Sequence, residues 1–172
     1  MRPYPDMMFR DVGGIPIARL YGDGIRAIFL DVDNTIALRR SSNLTEQAKA
    51  LIEEAKCCGM KVVLLSNTVF GGKRVRRIAK MAADADIFYV CARFPHLKPH
   101  PLPYRKALKQ AGVCANETVF VGDQLFTDVK GAKRLGMMAI LVDPLGNDHW
   151  TTTPRRWLQN LLLRNYPYTA TE

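Results

Sequence analysis

Five short apolar runs, separated by segments with helical periodicity, constrain the fold of this chain most strongly. None of the runs alternates strictly between apolar and polar residues, which is typical of parallel strands covered on both faces. The alternation of strand and helix predicts an α/β fold: a three-layer, doubly wound parallel sheet of about five strands with right-handed crossovers. The runs are 26–31, 61–66, 86–91, 118–123 and 137–142.

The segments between the runs carry helix start and stop signals. Thr45 is suited to cap a helix start, and Gly59 is suited to the turn that ends the same helix. Pro154 suits the first turn of a last helix. We also expect the apolar N-terminal residues from Tyr4 to Phe9 to pack against the core. The predicted helices are 45–58, 72–83, 102–111, 128–135 and about 153–164.

The spacing of these elements predicts a single domain over residues 1–172, with a core of about 26–145 and a basic C-terminal helix of about 153–164. About 35 residues separate Asp31 from Ser66, and about 32 separate Ser66 from Lys98. One crossover helix and its loops fill each interval. No space remains for an inserted second domain.

The composition excludes several classes of protein. The apolar runs fall far short of the about 20 residues that a membrane-spanning helix needs. The N-terminus lacks the apolar centre of a secretory signal. The four cysteines form no CxxC pair, so we expect reduced thiols and no zinc site. These features predict a cytoplasmic protein. The cysteines are Cys57, Cys58, Cys91 and Cys114.

Lysine and arginine number 25 against 16 acidic residues, a formal charge of +9. This balance indicates a polyanionic partner: phosphate esters, nucleic acid or an anionic membrane surface. The basic cluster at 73–80 contains no aromatic residue, whereas single-strand binders interleave aromatic side chains, so nucleic acid is disfavoured. The C-terminal helix has apolar side chains on one side, flanked by arginines. It either packs on the sheet or lies peripherally on an anionic membrane.

Acidic side chains stand where two of the predicted strands end. Asp31 and Asp33 end the first strand, where the period-2 geometry can aim both at one point. Asp123 ends the fourth strand after Gly122, which allows close backbone approach, and Asp128 follows it. Ligands bind at this edge of open α/β sheets. Converging carboxylates need a cation, and oxygen ligands favour Mg²⁺.

Polar and basic residues follow the second and third strands. Ser66 and the backbone N–H of Asn67 can hold phosphoryl oxygens. Lys98 precedes a proline that restricts its backbone, so its ammonium group can be aimed. Together these residues predict a phosphate site beside the carboxylates.

The order Asp-x-Asp, Ser-Asn, Lys-Pro and Gly-Asp-x₄-Asp resembles the four motifs of the haloacid dehalogenase (HAD) superfamily of phosphohydrolases, over about residues 27–142. DVDNT at 31–35 matches the phosphatase form of the first motif. The short intervals resemble subfamily IIIA, which lacks a cap domain. The run after Asp123, the basic C-terminal helix and the segment before DVDNT resemble the phosphatidylglycerophosphate phosphatase-like group.

The resemblance implies a role for each matched residue. Asp31 is the nucleophile that becomes an aspartyl-phosphate, and Asp33 is the general acid and then the general base. Mg²⁺ is held by the carboxylates of Asp31 and Asp123 and the main-chain carbonyl of Asp33. Asp128 supports that arrangement. The transferring phosphoryl group is stabilised by Ser66, Asn67 and Lys98.

The implied substrate is phosphatidylglycerophosphate, which yields phosphatidylglycerol in anionic phospholipid synthesis, at the inner face of the membrane. A soluble sugar or nucleotide phosphate, or a phosphate at a nucleic-acid end, remains an alternative. So does a homo-oligomer whose neighbouring subunit closes the open site. A signalling receiver module is disfavoured because no middle strand ends in an acceptor aspartate. The sequence does not identify the alcohol that is released on hydrolysis, and it assigns no role to the histidines.

Overall fold

The computed structural model describes residues 4–68, 72–146 and 153–170, and confirms the α/β fold. Six parallel strands form one sheet with helices on both faces, one strand more than the sequence predicts. The strands are β1 (Met7–Phe9), β2 (Ala27–Leu30), β3 (Lys61–Asn67), β4 (Phe88–Ala92), β5 (Thr118–Gly122) and β6 (Met138–Val142). The helices are α1 (Ile17–Gly22), α2 (Glu46–Cys57), α3 (Gly72–Asp84), α4 (Pro101–Ala111), α5 (Lys130–Lys133) and α6 (Thr153–Leu162).

The strand order β1-β6-β5-β2-β3-β4 places β2 at the centre of the sheet. From β2 the chain builds outward through β3 and β4, and it then returns to the other side of β2 to form β5 and β6. The order therefore reverses between β2 and β5, where Leu30 pairs with Val121. In open α/β sheets the crevice beyond such a reversal is where ligands bind.

Both faces of the sheet are buried, as the apolar runs predict. Ile28 and Leu30 point into the core beneath α1, α2 and α3. Ala27 and Phe29, the alternate residues, point into the core with α4 and α5. A central strand with apolar side chains on both sides leaves no polar group in the sheet interior, so polar side chains are confined to its ends.

The N-terminal segment forms structure that the sequence analysis did not resolve. Met8 and Phe9 are buried, which confirms that the segment packs against the core. They belong to β1, which pairs with β6 so that Met8 lies opposite Leu141. A strand of three residues is too short to show a hydrophobic period. The short helix α1 was missed for the same reason.

The predicted helix at 128–135 is wrong in form. A π-helical turn, Leu125–Val129, comes first, and only the four residues of α5 follow as α-helix. The buried hydroxyl of Tyr104 donates to the carbonyl of Thr127 at 2.8 Å and holds this wider turn in place. Single π-helical turns of this kind occur frequently at functional sites.

The connections agree with the sequence predictions. Thr45 caps α2 by accepting a hydrogen bond from the Ala48 amide at 3.2 Å, and Gly59 adopts a φ of 82° after its end. The connection from β2 to β3 consists of a loop and α2, and the described part of the next connection contains α3. All four cysteines are free thiols. No helix in the described ranges is long and apolar enough to cross a membrane.

Candidate active site

Three buried carboxylates meet at the carboxyl edge of the sheet, beside the reversal of strand order. Asp31 follows β2, Asp123 follows β5, and Asp128 lies in the π-helical turn. One carboxylate oxygen from each lies within 4.8 Å of those from the other two. Gly122 makes this approach possible, because a Cβ there would lie 2.5 Å from Oδ2 of Asp128. The structure thus brings together the three acidic residues that the sequence places after β2 and β5.

Lys98 lies inside this carboxylate cluster. Its Nζ pairs with Asp31, lies 2.7 Å from Oδ1 of Asp128, and donates to the carbonyl of Leu65 at 2.9 Å. The side chain is only 3% exposed. Asn67 fixes the lysine backbone, since its Oδ1 accepts the Lys98 amide at 2.8 Å. The sequence analysis gave Asn67 a backbone role only, so this positioning by its side chain is an addition.

The electrostatics of the cluster follow from its burial. Burial raises the pKa of Asp31 to about 7; Lys98 opposes this shift, while Asp128 and Asp123 add to it. Burial and the neighbouring Asp128 likewise raise the pKa of Asp123 to about 6, against the opposing effect of Arg156. Burial lowers the pKa of Lys98, but Asp128 and Asp31 outweigh this effect and raise it above its usual value.

Three carboxylates face two cations in this cluster, Lys98 and Arg156, which leaves one negative charge in excess when all are ionised. Carboxylate oxygens are also the ligand type that Mg²⁺ prefers. The hydroxyl of Thr35 bridges two of the acids, with its Oγ1 3.5 Å from Asp31 and 3.4 Å from Asp123. The residues present therefore fit a divalent cation.

Ser66 is the one predicted phosphate ligand whose side chain makes no hydrogen bond. It is the last residue but one of β3 and is 1% exposed, yet its Oγ has no hydrogen-bond partner among the described residues. A buried hydroxyl without a partner is costly, which favours a ligand at this position. The predicted phosphate-binding residues Ser66, Asn67 and Lys98 thus lie next to one another at the ends of β3 and of the loop after β4.

Asp33 stands apart from the three-carboxylate cluster. The strand ends at Leu30, and the loop turns at Asn34, which has a φ of 64°. The Asp33 carboxylate is held by Arg74 and, at 2.6 Å, by Arg77, both from α3. The expectation that Asp31 and Asp33 aim at one point is therefore not met by their side chains, because α3 binds the Asp33 carboxylate while Asp31 pairs with Lys98.

The arginines of α3 change the interpretation of the basic cluster at 73–80. Arg74 and Arg77 face Asp33, and the side chain of Arg77 is only 10% exposed. Lys80 pairs with Asp84 at 2.5 Å, one helical turn later. The cluster is thus partly an active-site element, which the sequence analysis missed. The available signal was the i, i+3 spacing of two arginines on one helix face.

The C-terminal helix supplies two further residues that the sequence analysis missed. Arg156 pairs with the carboxylate of Asp123 and also donates to its main-chain carbonyl. Gln159, one turn later, donates to the same carbonyl at 3.1 Å and accepts the Leu125 amide at 2.8 Å. One side of α6 is therefore built into the site. The sequence signal was the polar i, i+3 pair, Arg156 and Gln159, on an amphipathic helix.

Comparison with known proteins places this geometry in a family. A sequence model described as mitochondrial PGP phosphatase matches residues 2–145, which is most of the chain. The chain belongs to the mitochondrial PGP phosphatase family. It is accordingly a HAD-like phosphatase, a phosphoric monoester hydrolase.

Individual relatives agree on the activity and differ in the substrate that they name. The probable phosphatase YqeG of Bacillus subtilis is 28% identical over 160 residues, 92% of this chain and 88% of that protein. The probable mitochondrial phosphatidylglycerophosphatase of Schizosaccharomyces pombe is 29% identical over 156 residues, covering 86% of this chain and 74% of that protein. A phosphoserine phosphatase of Thermus thermophilus is 33% identical over 61% of this chain but only 43% of its own length.

Solved structures confirm the fold. A HAD-like phosphatase from Mesorhizobium loti superposes with a TM-score of 0.58 at 22% identity, covering 73% of this chain and 76% of that one. An uncharacterized protein from Listeria monocytogenes gives a TM-score of 0.57 at 22% identity, covering 73% of this chain and 84% of that one.

Proposed function

We propose that this phosphatase hydrolyses phosphatidylglycerophosphate to phosphatidylglycerol and phosphate, through an aspartyl-phosphate on Asp31 and with Mg²⁺ as cofactor. The observation that carries the catalytic part is the buried cluster of Asp31, Lys98, Asp123 and Asp128 at the reversal of strand order. The substrate part is supported by the family match and by the named activity of the fission-yeast relative.

The metal site would be made of Asp31, Asp123 and Asp128, together with the main-chain carbonyl of Asp33. Asp128 is included because one of its carboxylate oxygens lies within 4.8 Å of those of Asp31 and Asp123, whereas the sequence predicts only a supporting role for it. When bound, the cation offsets the excess negative charge of the cluster and that of the incoming phosphate. Gly122 and the π-helical turn hold Asp123 and Asp128 at the required separation.

Hydrolysis proceeds in two displacements. A carboxylate oxygen of Asp31 bonds to phosphorus as the bond from phosphorus to the alcohol oxygen breaks. Asp33 gives its proton to the departing oxygen, so the alcohol leaves neutral. Asp33 then takes a proton from water, whose oxygen bonds to phosphorus as the acyl phosphate bond breaks. Phosphate is released, and Asp31 returns to its carboxylate form.

The remaining residues stabilise the phosphoryl group in transit. The unpartnered hydroxyl of Ser66 and the ammonium of Lys98 provide buried hydrogen-bond donors. Asn67 keeps Lys98 in place through the lysine backbone. Donors that are fixed before the reaction require no reorganisation when charge moves onto the phosphoryl oxygens.

The arginines on α3 support a substrate with a second anionic group. Phosphatidylglycerophosphate carries a phosphodiester one glycerol unit away from the phosphomonoester that is cleaved. Arg74 lies beside Asp33, the general acid, and its side chain is 36% exposed. A guanidinium can bind phosphodiester oxygens as it binds the Asp33 carboxylate. When Arg74 binds the phosphodiester of the substrate, its ion pair with Asp33 breaks and the pair between Asp33 and Arg77 remains.

The experiment that tests the proposal measures Mg²⁺-dependent phosphate release from a panel of substrates. Phosphatidylglycerophosphate in mixed micelles is compared with soluble sugar phosphates, nucleotides and an end-phosphorylated oligonucleotide, with Asp31→Asn as the blank. We expect the highest kcat/KM for the lipid, no release without a divalent cation, and none from the variant. A higher kcat/KM for a soluble phosphate or for the oligonucleotide would refute the lipid assignment. Full activity in a chelator would refute the metal assignment.

A further inference from the structure

The side of α6 that faces away from the active site is apolar and exposed. Arg156, Gln159 and Leu163 point inward, where Gln159 and Leu163 are buried. With about 3.6 residues per turn, four of the five residues between these positions fall on the opposite side of the helix, and the fifth, Asn160, lies near Arg156. The four are Trp157, Leu158, Leu161 and Leu162, with exposed fractions of 67%, 41%, 53% and 43%. We refer to these four side chains as the α6 apolar face.

Basic residues stand at both ends of the α6 apolar face. On a helical projection Arg155 lies beside Leu162, and Arg164 follows in the turn after α6 ends at Leu162. Both arginines are exposed. The sequence from 149 to 171 contains no acidic residue, and the whole chain carries a net charge of +9. An apolar strip with tryptophan and leucine between arginines is the pattern of a helix that lies in the interface of an anionic membrane.

Other exposed apolar side chains lie at the same edge of the molecule. Leu38 follows β2 and is 54% exposed, and Phe94 follows β4 and is 77% exposed. Both loops leave the carboxyl edge of the sheet, where the carboxylate cluster lies. The N-terminal half of α6 reaches this edge too, since Arg156 binds Asp123. Exposed apolar side chains therefore follow strands at the same edge of the sheet as the carboxylate cluster.

We propose that the α6 apolar face docks on an anionic lipid surface. Because the other side of the same helix holds Asp123, docking would keep the active site within about one helix diameter of that surface. The aliphatic and indole groups enter the region between headgroups and acyl chains, while Arg155 and Arg164 pair with lipid phosphates. This docking rests on α6 and not on turnover. It can therefore hold whichever phosphate ester the site hydrolyses.

Binding to vesicles of defined composition tests the proposal with an inactive protein. Asp31→Asn protein is sedimented with vesicles of phosphatidylcholine, or of an equimolar mixture of phosphatidylcholine and phosphatidylglycerol, neither of which is a phosphomonoester. We expect binding to the mixed vesicles only, and weaker binding as salt is added. Replacing Arg155 or Arg164 by Gln should lower the partition coefficient about fivefold each. The paired change Trp157→Ser and Leu161→Ser should lower it at least about tenfold.

Matched variants at the opposite edge of the sheet provide the controls. Phe88→Ser removes an exposed aromatic residue at the start of β4, and Lys61→Gln removes an exposed charge at the start of β3. Both should bind vesicles as the parent does. In a Trp150→Phe background, Trp157 is the sole tryptophan. Its emission should shift to shorter wavelength on the mixed vesicles.

Two results would overturn the proposal. One is equal vesicle binding by the parent and by the Trp157 and Leu161 double variant. The other is a dimer, seen by light scattering in the absence of lipid, that the same double variant abolishes, since the α6 apolar face would then be a contact between copies of this chain. A failure of phosphatidylglycerophosphate hydrolysis with vesicle binding intact would refute the substrate and leave the docking surface standing.

Discussion

Asp31 and Asp33 stand two residues apart in the sequence, yet different parts of the fold hold their side chains. Asp31 lies among Lys98, Asp123 and Asp128, all buried at the ends of the sheet or in the turn that follows it. Asp33 lies against arginines from α3, one of which is about one-third exposed. The proposed nucleophile is thus fixed by strand ends, whereas the proposed acid–base group is held by the side chains of a helix.

This difference separates what must stay rigid from what can adjust to a substrate. The strand ends are tied together by the sheet, for example through the Asp31 amide, which donates to the Val121 carbonyl at 2.9 Å. Arginine side chains on helices have several rotatable bonds and can exchange a carboxylate for a phosphate. We therefore expect changes at the strand ends to abolish chemistry, and changes at the helix arginines to alter binding.

The largest effect is expected from Asp31→Asn. The variant lacks the carboxylate that bonds to phosphorus, so kcat should fall by at least about 10⁴-fold. Phosphate release under saturating Mg²⁺ measures this change. Asp84→Asn is the control, since that exposed carboxylate pairs with Lys80 at the surface. Retention of one-tenth of the parent activity by Asp31→Asn would show that another residue is the nucleophile.

Lys98→Met should affect both catalysis and folding. Loss of one fixed donor typically lowers kcat by about 10²–10³-fold. The variant also leaves Asp31 and Asp128 buried without their cation, and breaking such a pair costs about 3–5 kcal/mol in the free energy of unfolding. Urea denaturation measures the second effect. Lys133→Met, which removes a partly exposed pair with Asp6, should cost about 1 kcal/mol or less. Equal losses in the two variants would contradict the buried pairing.

The stability of the metal-free protein should fall as the pH rises from about 4 to about 7. The pKa of Asp31 is raised to about 7 by burial, so the folded state keeps a proton that the unfolded state has released. The contribution of Asp31 to the free energy of unfolding is then fully present below pH 4 and is lost as the pH rises through 7. We expect Asp31→Asn, which cannot ionise, to be more stable than the parent by about 1–3 kcal/mol at pH 8 in a chelator. The two proteins should differ less at pH 5.

Urea unfolding at the two pH values, with and without Mg²⁺, measures this difference. Addition of Mg²⁺ at pH 8 should stabilise the parent and have less effect on the variant, because the cation offsets the charge of the ionised carboxylate. The prediction would be wrong if, in chelator, the free energy of unfolding of the parent exceeded that of the variant by more at pH 8 than at pH 5. Burial of the ionised Asp31 would then not be unfavourable.

The residues held at strand ends could be predicted from the sequence, whereas the contacts made by helix side chains could not. Asp31, Ser66 and Asp123 each end a buried apolar run, so their meeting at one sheet edge could be predicted before any coordinates. The arginine partners could not be predicted in this way. Their contacts depend on how α3 and α6 are rotated against the sheet, which the periodicity within one helix does not specify. The direction of the Asp33 side chain likewise depends on the turn at Asn34.

Arg156→Gln tests the helix side of the metal site. The guanidinium of Arg156 pairs with the Asp123 carboxylate that we assign to the cation, so the two compete for it. Removal of the guanidinium should therefore raise the affinity for Mg²⁺ by about tenfold, which corresponds to about 1.4 kcal/mol. Isothermal titration with Mg²⁺ measures the change, and Arg155→Gln, an exposed neighbour, is the control. A weaker affinity in Arg156→Gln would instead show that Arg156 orients Asp123 for the metal.

The smallest effect is expected from Arg74→Gln, and it bears on what the helix arginines recognise. If Arg74 binds the phosphodiester, KM for phosphatidylglycerophosphate should rise about fivefold while KM for glycerol phosphate, which lacks that group, stays unchanged. Lys73→Gln, a neighbouring exposed charge on α3, controls for a general loss of attraction. An equal fall in kcat for both substrates would assign Arg74 to the support of Asp33 alone. The helix arginines would then belong, with the strand ends, to the chemistry common to all substrates.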